Sequence, residues 1–280
     1  MGVTILVLFI VMIVIWISIA QTLRSELRVT FLDIGQGDSI FIQSPSGVQM
    51  LIDGGKNRAV IRQLSREMPW FDRSIDVVLA THPDADHIGG LPDVLKRYVV
   101  GTIVQSSVED AEGVDAAALE SAAAKEVERG ARLVTAERGH VIDLGGGVRF
   151  EILFPDRDVS AIETNTGSIV GRLVYGETSF MLTGDAPESI EQYLVKLDAQ
   201  QLHSNVLKAG HHGSRTSSSL SFVGFVSPEY AVFSRGCDNS YGHPHEEVTA
   251  TMTRLGVETL DTCLDGAITF SSDGKTVRKK

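Results

Sequence analysis

Apolar residues occur in short runs through the first part of the chain, and turn-forming residues separate these runs. The patterns at residues 27–33, 39–43 and 48–52 predict three strands. The uninterrupted apolar run at residues 75–80 is typical of a strand that is buried on both faces. Similar patterns predict strands at 148–153, 168–175, 179–183, 206–209, 230–234 and 267–270, and helices at 57–67, 116–129, 217–225 and 245–255, with others ending near Arg97 and starting after Pro187. Strands interspersed with helices predict an α/β fold in which packed sheets are covered by helices.

A different pattern marks the beginning of the chain. Residues 3–20 contain no charged side chain, and their polar residues are Thr4 and Ser18. As a helix, this segment would be about 27 Å long at about 1.5 Å per residue, close to the hydrocarbon thickness of a bilayer. The pattern predicts one transmembrane helix. A signal peptide cleaved after Ala20, which would leave a secreted protein, is the alternative.

Two basic residues, Arg24 and Arg28, follow the predicted span. The positive-inside rule would leave the bulk of the chain on the cytoplasmic side of a bacterial plasma membrane. Residues 1–24 are therefore predicted to form the membrane segment and a short linker. Residues 25–280 suit one large domain, because no linker rich in proline, glycine or serine and no tandem repeat interrupts them.

Composition narrows the function classes. A 43% hydrophobic content excludes a disordered protein, and a formal net charge of −11 argues against a broad basic DNA-binding face. A nucleic-acid substrate held through bound metal ions is compatible with this charge. Aromatic residues make up 6% of the chain, which weakens the case for a stacking platform. Two cysteines, Cys237 and Cys263, allow one disulfide or none.

The segment at residues 81–90 carries the clearest chemical pattern. It places His82, Asp84, Asp86 and His87 within six residues, directly after the predicted buried strand. A strand end is a rigid base, and a loop lets the side chains converge. Carboxylate oxygens together with imidazole nitrogens suit Zn²⁺ or Mn²⁺. A polar loop that caps the next helix is the alternative.

This segment resembles the HxHxDH motif of the metallo-β-lactamase superfamily, in the form HxDxDH. More narrowly, it is similar to the metallo-β-lactamase-like domain of ComEC-type competence proteins, which import DNA. Other segments continue the resemblance in the same order, at residues 29–38, 51–55, 182–185, 208–214 and 241–245. The resemblance covers about residues 27–272 and implies an αββα sandwich.

The resemblance also implies a site for two divalent metal ions, Zn²⁺ or Mn²⁺. One ion would be held by His82 and Asp84, the other by Asp86, His87 and His211, and Asp185 would bridge both. Asp53 and His212 would support these ligands from behind. Capping of the helix that follows is the alternative role for Asp185, and a turn role is the alternative for Asp53.

One departure from the family pattern concerns the first metal ion. Many members of the superfamily use a further histidine there, but the corresponding stretch of this chain, residues 165–168, has none. Asn165 and Ser168 are predicted to contact the substrate, with an ordinary loop as the alternative. Ser214 is a further predicted substrate contact. The resemblance places His243 at the mouth of the site, and Asp86 and His243 are the predicted catalytic residues.

These features together predict a membrane-tethered, metal-dependent hydrolase. The resemblance implies a nuclease or phosphodiesterase that acts on DNA during competence-type uptake, beside a separate DNA-uptake channel protein. Two alternatives stay open. One is a metallohydrolase of a small ester, such as a phosphodiester, lactone or thioester. The other is a non-catalytic partner of the channel.

Overall fold

The structure is a computed structural model that describes residues 2–23, 26–108, 110 and 113–280. Within them the helices are α1 Gly2–Leu23, α2 Ala59–Glu67, α3 Ala85–Ile88, α4 Leu91–Arg97, α5 Val114–Glu128, α6 Glu188–Asp198, α7 Leu220–Val226, α8 Glu246–Leu255 and α9 Thr262–Asp265. Short 3₁₀ turns cover Asn165–Gly167, Ala199–Leu202 and Gly210–Gly213. The strands are β1 Leu27–Phe31, β2 Ile40–Gln43, β3 Gln49–Ile52, β4 Ser74–Ala80, β5 Val99–Gln105, β6 Arg132–Thr135, β7 Val141–Asp143, β8 Val148–Phe154, β9 Val170–Tyr175, β10 Thr178–Leu182, β11 Val206–Lys208, β12 Tyr230–Phe233, β13 Glu258–Asp261, β14 Ile268–Ser272 and β15 Val277–Lys279.

These strands form two mixed sheets. The eight-stranded sheet has the order β15-β14-β1-β2-β3-β4-β5-β6, and the seven-stranded sheet has the order β13-β12-β11-β10-β9-β8-β7. Phe270 meets Phe31 and Phe180 edge to face between the sheets, and its ring centroid is 6.1 Å from that of each of them. The main hydrophobic core therefore lies between the two sheets.

The apolar run in β4 shows why both faces of its sheet are buried. Val77 and Leu79 point into the core between the sheets. Val78 and Ala80 point the other way, into a second core formed with α2, α4 and α5. A third core lies under α6, α7 and α8, on the outer face of the seven-stranded sheet. Helices thus cover both outer faces, and the predicted αββα sandwich is confirmed.

Strand direction determines where the loops meet. β3, β4, β5 and β6 run parallel in one sheet, and β10, β11, β12 and β13 run parallel in the other. The carboxyl ends of parallel strands lie at a common edge, and the loops that follow them are the usual place for binding sites in such sheets. The predicted metal-binding segments all follow these strands.

The N-terminal helix does not confirm the predicted membrane span. α1 is helical over Gly2–Leu23, and its described side chains from Thr4 to Trp16 are exposed. Among the residues that the structure describes, no helix has both the length and the apolar character needed to cross a membrane.

Candidate metal centre

Loops from both sheets bring chemically active side chains to one edge of the sandwich. Residues 81–87 follow β4, and residues 183–185 follow β10. The 3₁₀ turn Gly210–Gly213 follows β11, and the turn at residues 35–38 follows β1. These loops are far apart in the sequence, so the site exists only when both sheets are formed.

One carboxylate oxygen, Oδ2 of Asp185, lies at the centre of the site. The Nε2 atoms of His87 and His212 are each 3.2 Å from it, and they are 3.3 Å from each other. Asp86 Oδ2 lies 3.5 Å from His212 Nε2. Asp185, His87 and His212 are buried. Imidazole nitrogens and carboxylate oxygens that converge in this way form the ligand set of a divalent-metal site.

A second group of ligand atoms adjoins this centre. The ring centroid of His82 is 4.1 Å from that of His87, and its Nε2 is 3.8 Å from Asp84 Oδ2. His82 Nε2 is buried and has no hydrogen-bond partner among the residues that the structure describes. A buried nitrogen without a partner is costly unless it serves another purpose. A metal ion would satisfy it, so the residues present fit the implied cofactor.

The opposite nitrogens of the imidazoles are held from behind. His87 Nδ1 lies 2.8 Å from Asp53 Oδ2, and Asp53 also accepts hydrogen bonds from Thr81 N and Thr81 Oγ1. His82 Nδ1 is 2.9 Å from Thr81 Oγ1. These contacts orient the Nε2 atoms towards the centre. The structure thus places Asp53 behind a proposed ligand, where the resemblance puts it.

His211 and His212 are both near Asp185, but at different depths. Both have a left-handed backbone, with φ of 48° and 56°, so the adjacent side chains leave the turn in different directions. His212 is buried, and its Nδ1 donates to the carbonyl oxygen of Ser234 at 2.8 Å. His211 is partly exposed, with Nε2 3.7 Å from Asp185 Oδ2. His212, which we predicted to act from behind, is therefore the more central of the two, while the ligand role of His211 stays a prediction.

A buried ion pair completes the site and was not predicted. Lys208 Nζ lies 2.5 Å from Asp38 Oδ2 and 3.1 Å from Asp185 Oδ1, and it donates to the carbonyl oxygen of Gly184 at 2.8 Å. Asp38 Oδ1 is 3.4 Å from His212 Nδ1. Oxygen atoms of Asp38 are close enough to join the metal ligands. They face Nδ1 rather than Nε2 of His212, however, so Asp38 supports this imidazole from behind.

The turn that carries Asp38 is packed tightly against the loop at residues 81–87. Gly37 has φ of 117°, and a Cβ added there would collide with the carbonyl group of Asp86. Asp38 N donates to that carbonyl oxygen at 3.2 Å, and Ser234 Oγ donates to the Gly37 carbonyl oxygen at 3.0 Å. The glycine and the aspartate of this turn are the sequence signal that would have placed Asp38 in the site.

The charges of the site hold one another in place. Burial disfavours the charged imidazoles, but Asp185 outweighs it and raises the pKa of both His87 and His212 well above the usual range. For His82, burial and the neighbouring His87 outweigh the carboxylates of the site and hold the pKa of its ring well below the usual range. Although burial opposes ionisation, Lys208 and His212 lower the pKa of Asp38 to about 2. The protein thus presents carboxylates that are charged at neutral pH.

The predicted substrate residues have different surroundings. Asn165 Oδ1 is buried without a partner in the described part of the chain. Ser168 Oγ instead accepts a hydrogen bond from Asp185 N at 3.3 Å, which helps to fix the central carboxylate. Ser214 Oγ accepts a hydrogen bond from Thr216 Oγ1 at 3.0 Å. The hydroxyls of Ser168 and Ser214 are therefore already engaged within the protein.

His243 lies beside the centre, as predicted for the mouth of the site. Its ring centroid is 5.7 Å from that of His211 and 6.4 Å from that of His212. Its Nδ1 is buried and unpartnered among the described residues. Burial, together with the neighbouring imidazoles, lowers the pKa of His243 to about 4. The ring is therefore neutral at neutral pH.

Comparison with known proteins identifies the family pattern. The family model described as the Metallo-beta-lactamase superfamily matches residues 32–236. The chain is 34% identical to Competence protein ComA of Neisseria gonorrhoeae over 248 residues, covering 88% of this chain and 32% of that protein. It is 31% identical to ComE operon protein 3 of Bacillus subtilis over 265 residues, covering 89% and 33%. The chain thus spans about a third of the length of these relatives.

Solved structures show the same fold at low sequence identity. CmlA, a diiron β-hydroxylase from Streptomyces venezuelae, matches with a TM-score of 0.54 and 13% identity, covering 84% of this chain and 52% of that one. Zn²⁺-bound PqqB from Methylobacterium extorquens matches with a TM-score of 0.53 and 11% identity, covering 81% and 85%. At these identities the likeness concerns the fold alone.

Proposed function

Because the chain belongs to the metallo-β-lactamase superfamily, we propose that it is a divalent-metal-dependent hydrolase that cleaves phosphodiester bonds in DNA. The observation that carries this proposal is the convergence of His87 Nε2 and His212 Nε2 on one oxygen of Asp185. The unpartnered Nε2 of His82 beside them supports a second ligand group.

The ligand atoms divide into two neighbouring groups. His82 and Asp84 would hold one ion, and Asp86 and His87 would hold the other together with the histidines of the Gly210–Gly213 turn. Asp185 would lie between the ions, because its Oδ2 is the common neighbour of these groups. Two Zn²⁺ or Mn²⁺ ions bound there would lower the pKa of water and polarise a phosphoryl oxygen.

The side chains at the mouth of the site would bind and orient the phosphodiester. Hydrolysis places the hydroxyl of water on phosphorus and a proton on the leaving oxygen. His243 is neutral at neutral pH, since its pKa is lowered to about 4. It would therefore donate an N–H hydrogen bond to a phosphate oxygen rather than act as a cation. Asn165 would add a polar contact, and Asp86 would take part as both ligand and catalytic residue.

Competence proteins among the relatives support DNA as the substrate. We propose that the chain acts in the cell envelope during DNA uptake, beside a channel protein that carries the strand across the membrane. The disulfide between Cys237 and Cys263 supports an oxidising compartment. It favours the outer side of the membrane over the cytoplasmic side that Arg24 and Arg28 would indicate.

A small phosphodiester, lactone or thioester is the second candidate substrate. The net charge of −11 favours it, because a long polyanion is repelled by an acidic protein while a small ester is not. The two candidates differ in how activity depends on substrate length. Cleavage of a dinucleotide at the same rate as a long strand would favour the small ester.

The test uses the full chain with labelled single- and double-stranded DNA and with bis-p-nitrophenyl phosphate, each with and without Mn²⁺ or Zn²⁺. We expect metal-dependent cleavage of DNA that Asp84→Ala/Asp185→Ala abolishes. Glu128→Ala, which removes an exposed carboxylate on α5, serves as the matched control and should retain the activity. Fast cleavage of the small diester alone would replace the nuclease with the small-ester hydrolase. If the protein neither binds metal nor cleaves any of these substrates, the role of a non-catalytic channel partner remains.

A further inference from the structure

Aromatic rings lead from the solvent to the metal centre. Tyr241 is 62% exposed, and its ring stacks on that of His243 with centroids 5.5 Å apart and planes 22° apart. The His243 ring is in turn 5.7 Å from that of His211, whose Nε2 is 3.7 Å from Asp185 Oδ2. Two imidazoles, those of His243 and His211, therefore connect this exposed tyrosine with Asp185.

The loop that carries Tyr241 is fixed at both sides of the tyrosine. The disulfide between Cys237 and Cys263 ties its beginning to α9. Asn239 Oδ1 accepts a hydrogen bond from His243 N at 2.9 Å, and Asn239 Nδ2 donates to the His243 carbonyl oxygen at 3.0 Å. These contacts close the loop around Tyr241. A ligand that stacks on the ring would thus not have to order the loop first.

A flat apolar group is the ligand that such a ring accepts. An exposed tyrosine whose one face is covered by an imidazole offers its other face for stacking. The ligand that suits this face is a nucleobase of the strand whose phosphate lies at the metal centre. Base-aromatic stacking is tolerant of sequence, because every base has a π-face. The low aromatic content of the whole chain does not weaken this argument, since a single ring at the right place suffices.

We propose that Tyr241 is a stacking platform for a nucleobase next to the scissile phosphodiester. The inference rests on the proposed function and narrows it, because lactones, thioesters and simple phosphodiesters carry no base. The position of Arg215 is a further argument for a polynucleotide strand as the ligand. Its backbone N–H donates to His245 Nδ1 at 3.1 Å, and its exposed guanidinium is 3.9 Å from Glu247 on α8. That loose surface pair leaves the guanidinium able to contact a strand phosphate.

The experiment pairs a change in the protein with a change in the substrate. The full chain and its variants Tyr241→Ala and Tyr241→Phe are given a short single-stranded oligonucleotide with Mn²⁺. A second oligonucleotide is identical except that tetrahydrofuran abasic units replace the nucleotides that flank the cleaved bond. Binding of both is measured by fluorescence anisotropy, and cleavage gives kcat and KM. Binding is tested even if the bond is not cut, so failure of the nuclease proposal and failure of the platform are distinguishable.

We expect Tyr241→Ala to weaken binding and raise KM for the base-containing strand by about 5- to 100-fold. Tyr241→Phe keeps the ring and should restore most of the affinity. On the abasic strand, Tyr241→Ala should have less than about a twofold effect. An equal loss on both strands would overturn the platform and leave Tyr241 as a support for His243. An unchanged affinity for the base-containing strand would overturn it as well.

Discussion

At the level of single residues, Lys208 and Asp38 determine how Asp185 is presented. The ammonium group holds one oxygen of Asp185, which leaves the other facing the imidazoles. Lys208→Met should reduce the free energy of unfolding by about 3–5 kcal/mol, because it leaves buried carboxylates without their cation. The double variant Asp38→Asn/Lys208→Met removes one negative and one positive charge together, so its free energy of unfolding should fall markedly less. Urea denaturation of the metal-free protein measures both.

Lys125→Met is the matched control, because Lys125 is an exposed lysine on α5. It should change the free energy of unfolding by less than about 0.5 kcal/mol. The single variant Asp38→Asn completes the cycle. If the double variant loses as much free energy of unfolding as Lys208→Met and Asp38→Asn lose together, the two side chains are not coupled and the account of this pair is wrong.

The raised pKa of His87 and His212 predicts a pH dependence of metal binding. In the metal-free protein both imidazoles are protonated at pH 7, because the carboxylate of Asp185 outweighs the effect of burial. A metal ion needs neutral imidazoles, so its binding releases protons and its apparent affinity rises with pH until the raised pKa is passed. Isothermal titration calorimetry in buffers of different ionisation enthalpy measures this release. A binding enthalpy that is independent of the buffer at pH 7 would contradict it.

Some residues of the site could be predicted from the sequence and others could not, and the difference has a physical reason. His82, Asp84, Asp86 and His87 lie within six residues of one another, so their pattern is visible without the fold. Lys208 ends β11 of one sheet and Asp38 lies in the turn after β1 of the other, so they meet only when both sheets are packed together. A buried lysine also looks like a surface lysine in the sequence, because the carboxylates that neutralise it are not its neighbours along the chain.

At the level of elements, the loop between β12 and α8 depends on its disulfide. The cysteines are 26 residues apart, and closing a loop of that length stabilises the fold by about 3.5 kcal/mol in the chain-entropy model. Reduction with dithiothreitol should lower the free energy of unfolding by up to about that amount. It should also lower the rate of hydrolysis, because His243 lies on this loop. The exposed Cys237 makes the bond accessible to the reagent.

The variant Cys237→Ser/Cys263→Ser provides the control for this experiment. It should start at the stability of the reduced protein and should not respond to dithiothreitol. An equal response of this variant would show that the reagent acts elsewhere, for example on bound metal. No change in the unmodified protein would show that the bond contributes little to the loop.

Elements with strong apolar patterns were predictable, and those at the sheet edges were not. β4 was predicted because both of its faces are buried, which requires an uninterrupted apolar run. β6 and β7 are largely exposed edge strands, so neither has an apolar run that the sequence could reveal. β5 was missed because Gly101 and Thr102 interrupt its apolar residues, although pairing with β4 on one side and β6 on the other holds it in the sheet.

At the level of the whole molecule, the proposed metal ligands come from both sheets. His82 and His87 follow β4 of the eight-stranded sheet, whereas Asp185 and His212 follow strands of the seven-stranded sheet. A cation bound by both groups is lost when the sheets separate, so binding must stabilise the fold as a whole. At a free metal concentration of 100 times Kd, the gain is about 2.7 kcal/mol for one site.

For a domain of this size, that gain corresponds to a rise in Tm of about 5–10 °C. Differential scanning fluorimetry with Mn²⁺ or with a chelator measures it, and Glu128→Ala should show the same rise. Asp84→Ala/Asp185→Ala should show almost none, because it removes a ligand from each sheet. A full rise in that variant would place the stabilising cation elsewhere. If the rise in Tm requires Asp84 and Asp185 but not Glu128, the stabilising cation binds at the proposed site. The metal would then both supply the chemistry and hold the two sheets together.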